Sequence, residues 1–183
     1  MTSGWKRSAA FALAGAGFAL ASLAPAVFAQ GSGSGPNSYP APDKACAATV
    51  TTVAQTGESE LAIARPNGKV RFRKSFASPD GQHGARITKA AWTPDSRFFV
   101  FILEISGGHQ PWHHPMFSWD RKSSKLYPLD DQIGGITGGF TLAAPDVVKG
   151  TVLGDPKSGP DFVDGVPFSV SLSSYAAHYP RSK

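Results

Sequence analysis

Residues 106–115 (SGGHQPWHHP) hold the side chains of this sequence that are best suited to chemistry: three histidines and one tryptophan. Imidazole is a common metal ligand, and zinc or copper needs three or four ligands that converge on one point. His109 and His113 have the i, i+4 spacing of one helix face, but a proline between them disfavours a helix. His113 and His114 point to opposite sides if the chain is extended. His109 and His113 are therefore the candidate metal ligands, and they would need a carboxylate from elsewhere in the chain.

The same segment could instead bind a small molecule or a glycan. Trp112 and His113, together with Trp119, would form an aromatic platform, because exposed aromatic side chains are unusual on a surface without a partner. The candidate ligand-binding residues are accordingly His109, Trp112, His113, His114 and Trp119. A structural interpretation stays open, in which two prolines stiffen the loop, Trp112 plugs the edge of the core and the histidines bond backbone groups.

Catalytic patterns are weaker in this sequence. It has no Gly-x-Ser-x-Gly elbow, and no glycine-rich phosphate loop follows a strand and opens a helix. Ser106 lies near His109 along the chain, but a catalytic triad is defined by spatial geometry. The single cysteine, Cys46, excludes an internal disulfide framework and multi-cysteine metal sites. We predict no cofactor and expect binding rather than catalysis.

The charge balance is mildly basic, with 18 Lys and Arg against 13 Asp and Glu and a net charge of +5. These charges are dispersed along the chain and do not indicate a nucleic-acid partner. The expected partner is an unknown ligand or protein, and the oligomeric state is left open.

The first 29 residues have the three regions of a secretory signal peptide. Lys6 and Arg7 precede an apolar run over residues 9–24, and Val27-Phe28-Ala29 supplies small side chains at the −3 and −1 positions. The apolar run is shorter than the ~20 residues that span a bilayer, so we expect cleavage rather than anchoring. No second apolar run follows. The sequence predicts a periplasmic or secreted bacterial protein without a transmembrane segment after cleavage.

The remaining chain is predicted to divide into three parts. Residues 30–46 are rich in Gly, Ser and Pro and are interpreted as a disordered tether. Residues 47–175 form a single domain, and residues 176–183 form a frayed tail. The domain contains about nine short strands at hairpin spacing and no sustained helical period, which predicts an antiparallel all-β fold.

Two local patterns in this domain are specific. Pro66-Asn67-Gly68 lies between two alternating segments and predicts a tight hairpin turn, because Asn-Gly tolerates positive φ. Residues 97–105 (RFFVFILEI) are almost continuously apolar and predict a strand that is covered on both faces.

Residues 60–130 resemble the blade repeat of TolB-type, WD40-like β-propellers. The matches are Trp92, Pro94, Asp95 and Ser96 in the turn between two strands, and the Asp-x-x-Ser-Ser-Lys run over 120–125. The resemblance implies a periplasmic or secreted binding scaffold and brings no catalytic residues. A ring of four blades of ~40 residues needs more chain than the domain offers. Pro145-Asp146 is also predicted to begin a strand rather than to join two.

The sequence therefore predicts an antiparallel meander with propeller-blade-like hairpins, too short for a closed propeller and arranged as a two-layer, sandwich-like domain. The predicted function is an exported binding or scaffolding module of unknown ligand. A His-dependent metal-binding periplasmic protein is the first alternative, and a small secreted hydrolase is the second.

Overall fold

The structure is a computed structural model that describes residues 35–107, 114–154 and 165–179. Strands hold 52% of these residues and helices hold 9%. All strand pairs are antiparallel, and no sheet closes into a barrel or propeller. The predicted all-β antiparallel class is confirmed. The predicted signal peptide and loop residues 108–113 lie outside the described residues.

Within the described ranges, the strands form three sheets in which neighbours along the chain are also neighbours in the sheet. The first sheet contains β1 (Asn37–Pro40), β2 (Ala47–Thr52), β3 (Ser59–Ala64) and β4 (Val70–Ser75). The second contains β5 (Ala85–Trp92), β6 (Phe98–Ile105), β7 (Met116–Asp120) and β8 (Lys125–Pro128). The third contains β9 (Ile136–Ala143), β10 (Val147–Val152) and β11 (Val166–Ser171). The two short helices are α1 (Asp130–Ile133) and α2 (Leu172–His178).

The predicted hairpin is confirmed and joins β3 to β4. Gly68 has a φ of 79°, in the region that favours glycine. The Asn67 side chain accepts a hydrogen bond from the Lys69 amide at 3.1 Å, which closes the turn locally.

Strand β6 is buried on both faces, as its apolar run predicts. Phe99, Phe101 and Leu103 face the first sheet, while alternate residues face the third sheet and α2. The second sheet therefore lies between two hydrophobic clusters, and the described chain has three sheets where the sequence predicts two layers. The reason is that a strand apolar on both faces needs a cover on each side.

The predicted tether over 30–46 requires correction, because β1 lies inside it. Residues Asn37–Pro40 pair with β2 along their whole length. Tyr39 also accepts a hydrogen bond through its carbonyl from Trp92 Nε1 at 2.8 Å. Sheet pairing and this bond order a segment whose composition is typical of a linker.

The C-terminal part also differs from the prediction. Pro145-Asp146 lies in the turn that joins β9 to β10, so it does not begin a strand. Residues 176–178 belong to α2 rather than to a frayed tail, because Leu172 and Tyr175 anchor this helix in the second hydrophobic cluster. Neither helix in the described part of the chain has the length and apolar character needed to cross a membrane.

Candidate binding groove

Only two of the five predicted site residues, His114 and Trp119, lie in the part of the chain that the structure describes. His109, Trp112 and His113 lie outside the described residues, so their ligand and metal roles stay predictions. His114 precedes β7 and donates its backbone N–H to the Ile136 carbonyl at 2.9 Å. Trp119 lies five positions further along the chain, roughly 16 Å away for an extended strand. It is fully buried and so cannot belong to an exposed aromatic platform.

The described residues also give no support to a metal centre. None of them forms a group of three His, Cys, Asp or Glu side chains that could hold a metal ion. Glu104, a carboxylate close in sequence to the His-rich loop, pairs with Arg86 at 2.9 Å instead. A metal site would therefore need ligands from outside the described residues.

A different site lies at the opposite end of the second sheet, in a groove of about 610 Å³ between the first and second sheets. We call it the basic groove, because five cationic side chains and one carboxylate line it: Arg65, Arg71, Arg97, Arg121, Lys122 and Asp95. Ala45, Cys46 and Trp119 complete the lining. A volume of this size is typical of small-molecule sites, which span ~300–1,000 Å³.

The meander explains why residues distant in sequence share this groove. In an antiparallel meander every second turn lies at the same end of the sheet. The turns after β1, β3, β5 and β7 therefore lie together, and each contributes to the lining. Arg65 follows β3, Arg97 precedes β6 and Arg121 follows β7.

Arg97 is fixed against a buried carboxylate. Its Nε and Nη2 atoms donate to the two oxygens of Asp120 at 3.1 and 3.3 Å, and Asp120 is only 2% exposed. Burial alone would raise the pKa of Asp120, but the hydrogen bonds from Arg97, the Lys122 amide and Ser123 lower it on balance. The guanidinium also lies over the Phe98 ring, 4.6 Å from its centroid. These contacts fix the Arg97 guanidinium at one side of the basic groove.

Arg121 bridges the two sheets. Its Nη1 atom donates to Asp43 Oδ2 at 2.6 Å and lies 3.9 Å from the Cys46 sulfur. The Asp43 amide in turn donates to Ser96 Oγ at 3.0 Å, which ties the β1–β2 turn to the β5–β6 turn. These contacts hold the two sides of the groove together.

Three of the lining cations have no ion-pair partner among the described residues. Neither the Arg65 nor the Lys122 side chain forms an ion pair or hydrogen bond there. Arg71 also lacks a carboxylate; its Nη2 donates to Ser124 Oγ at 3.0 Å and to the Arg121 carbonyl at 3.4 Å. The groove therefore carries positive charge that the described chain does not neutralise.

Trp119 adds a polar group without a partner. Its Nε1–H is buried and has no hydrogen-bond acceptor in the part of the chain that the structure describes. The other buried indole of this core, Trp92, does have one. A buried donor without an acceptor costs ~1–3 kcal/mol.

A second buried carboxylate lies at the other end of the sheets and is fully bonded. Glu58 is 1% exposed and accepts from the Ser78 amide at 2.5 Å and the Gly84 amide at 2.9 Å. Burial alone would raise its pKa, but these bonds and those of the Ser78 and Ser106 hydroxyls lower it on balance. Because Ser78 and Gly84 lie in the loop between β4 and β5, we infer that Glu58 holds this loop in place, and we call these contacts the Glu58 clasp.

Sequence reasoning missed the basic groove because its residues form no motif. The one available signal is positional: Arg65, Arg97 and Arg121 each adjoin a turn at the same end of the meander. That signal is usable only once the strand order is known.

Comparison with known proteins identifies no relative: no family model, no curated protein and no solved structure matches this chain. The resemblance to TolB-type blades therefore stays a prediction.

Proposed function

We propose that this chain is an exported binding module whose ligand lies in the basic groove. Export rests on the signal-peptide pattern of residues 1–29. The observation that carries the binding role is a groove of about 610 Å³ lined by five cationic side chains and one carboxylate. Concave sites with a few unsatisfied polar groups are the usual places for ligands.

The groove lining favours binding over catalysis. Nucleophilic catalysis needs a nucleophile with a base in hydrogen-bond reach. Cys46 is the thiol of the lining, and the Arg121 guanidinium that lies 3.9 Å from its sulfur cannot accept a proton. The lining contains no histidine, and its only carboxylate is Asp95.

The bracing of the groove also supports a binding role. The Arg121–Asp43 and Asp43–Ser96 contacts connect its two sides before any ligand arrives. A preformed site loses less conformational entropy on binding, which leaves more of the contact energy as affinity.

The test fills the groove with a bulky side chain. Ala45 is exposed and lines the groove, so Ala45→Trp should block it without disturbing the core. Ala177 is exposed on α2 and lies outside the lining, so Ala177→Trp is the matched control. Melting temperatures of the three proteins are compared across a library of charged and neutral small metabolites.

We expect a ligand that raises the melting temperature of the parent and of Ala177→Trp but not of Ala45→Trp. At a concentration of 100 times its Kd, such a ligand stabilises the folded state by ~2.7 kcal/mol. If no compound behaves this way, or if Ala45→Trp responds like the parent, the groove is not the ligand site.

A further inference from the structure

The charges around the basic groove do not balance. Arg97 and Arg121 are each matched by a carboxylate, Asp120 and Asp43 respectively. The three other lining cations face a single carboxylate, Asp95. Two positive charges are therefore left over at the groove, and an ion in a concave site is attracted more strongly than one on a flat surface.

The hydrogen-bonding groups of the groove also favour an anion, because most of them are donors. The Arg65 and Lys122 side chains are donors only, and neither has an acceptor among the described residues. Asp95 Oδ1 is already occupied, because it accepts from Thr93 Oγ1 at 2.5 Å and from the Arg97 amide at 3.0 Å. The complementary ligand is rich in acceptors and carries negative charge.

From these observations we infer that the ligand of the basic groove is a small oxyanion with at least two negative charges, of the polycarboxylate or phosphate class. This inference rests on the proposed function and specifies its ligand. Arg65 and Lys122 would neutralise the two charges, since guanidinium and ammonium groups form the strong hydrogen bonds with carboxylate and phosphate oxygens. Trp119 is buried, so no aromatic ring of the groove is exposed to stack on a ligand.

The experiment uses three probes of similar simplicity: citrate, inorganic phosphate and neutral glucose. Their affinities are measured by calorimetry at low and at physiological salt. The melting temperature provides a second readout, because a ligand that binds only the folded protein stabilises it.

Two charge variants separate a local site from general attraction to a basic protein. Arg65→Gln removes an unpartnered cation of the groove. Arg73→Gln removes the same charge from an exposed position of β4 outside the lining. Asp95→Asn removes the only carboxylate of the lining and should act in the opposite direction.

We expect citrate or phosphate to bind and glucose not to bind. Arg65→Gln should weaken anion binding about tenfold, the effect of one charge-assisted hydrogen bond. Arg73→Gln should change it less than about twofold, and Asp95→Asn should tighten it about threefold, as expected for partly exposed charges. Binding of citrate alone assigns the polycarboxylate source, and binding of phosphate alone assigns the phosphate source.

Equal weakening by Arg65→Gln and Arg73→Gln would overturn the inference, because it would indicate net charge rather than a site. A neutral ligand that Ala45→Trp blocks and Arg65→Gln leaves unchanged would overturn it too, while the proposed function would stand. If neither the anions nor any library compound binds in a way that Ala45→Trp blocks, the proposed function fails as well.

Discussion

Replacement of Asp120 by asparagine removes the charge that holds the groove wall in place. The two carboxylate oxygens accept four hydrogen bonds: two from Arg97, one from the Lys122 amide at 2.9 Å and one from Ser123 Oγ at 2.9 Å. An asparagine keeps one acceptor oxygen and puts an amide N–H₂ where the second oxygen was. That amide faces the Arg97 Nη2 donor, and the guanidinium loses its counter-charge.

The structure sets the size of the effect. Loss of one partner of a fully buried ion pair costs ~3–5 kcal/mol, while a lost charge-assisted hydrogen bond costs ~1.5–3 kcal/mol. Asp120 is buried, but the Arg97 side chain is 30% exposed and can recover water as a partner. We therefore expect Asp120→Asn to lower the free energy of unfolding by about 2–3 kcal/mol, between these limits.

Urea unfolding at pH 7 measures this loss, and Asp95→Asn is the matched control. Asp95 is exposed, and an asparagine can keep its bonds from Thr93 and the Arg97 amide, so its cost should stay below about 0.5 kcal/mol. A loss below about 0.5 kcal/mol for Asp120→Asn as well would refute the assignment of Asp120 as the anchor of Arg97.

The same variant has a characteristic pH dependence. Folding lowers the pKa of Asp120 below its ordinary value of 3.8. The contribution of the Asp120 carboxylate to the free energy of unfolding is therefore complete above pH 3.8, and it is lost as the pH falls toward the lower pKa of the folded state. The stability difference between the parent and Asp120→Asn should be full at pH 7 and smaller at about pH 3. A difference that stays constant over this range would contradict the linkage.

Three further predictions test the core, the Glu58 clasp and export. Phe101→Ala should lower the free energy of unfolding in urea by about 3–5 kcal/mol, because Phe101 is fully buried. Val70→Ala, at a 47% exposed position, should lower it by less than about 0.5 kcal/mol. Similar losses in the two variants would mean that β6 is misplaced. Gly84→Ala should lower the melting temperature by several degrees, since a Cβ there would overlap the Glu58 carboxylate; an unchanged melting curve would contradict the clasp. N-terminal sequencing of the exported protein should begin at Gln30, and an intact Met1 would disprove cleavage.

Local physics determines the elements that the sequence predicts well. The β3–β4 hairpin follows from Asn67-Gly68, because Gly68 adopts the positive φ that glycine tolerates. The burial of β6 on both faces follows from an apolar run that no single hydrophobic face explains.

Nonlocal pairing decides the elements that the sequence does not predict. The composition of Asn37–Pro40 is typical of a linker, and only its pairing with β2 and the Trp92 contact make it a strand. Helix α2 is similar, since burial of Leu172 and Tyr175 stabilises a helix of seven residues that would not persist alone.

The candidate site also depends partly on local sequence and partly on nonlocal packing. Sequence reasoning favours the His-rich segment 106–115, because it is the place where reactive residue types cluster along the chain. The basic groove has no such cluster: Cys46, Arg65, Arg97 and Arg121 come from four different turns and meet only when the first two sheets pack together. Residue types therefore determine which groups are available for binding. The strand order and the packing of the sheets decide which of them share one cavity, because that depends on contacts between residues far apart in the sequence.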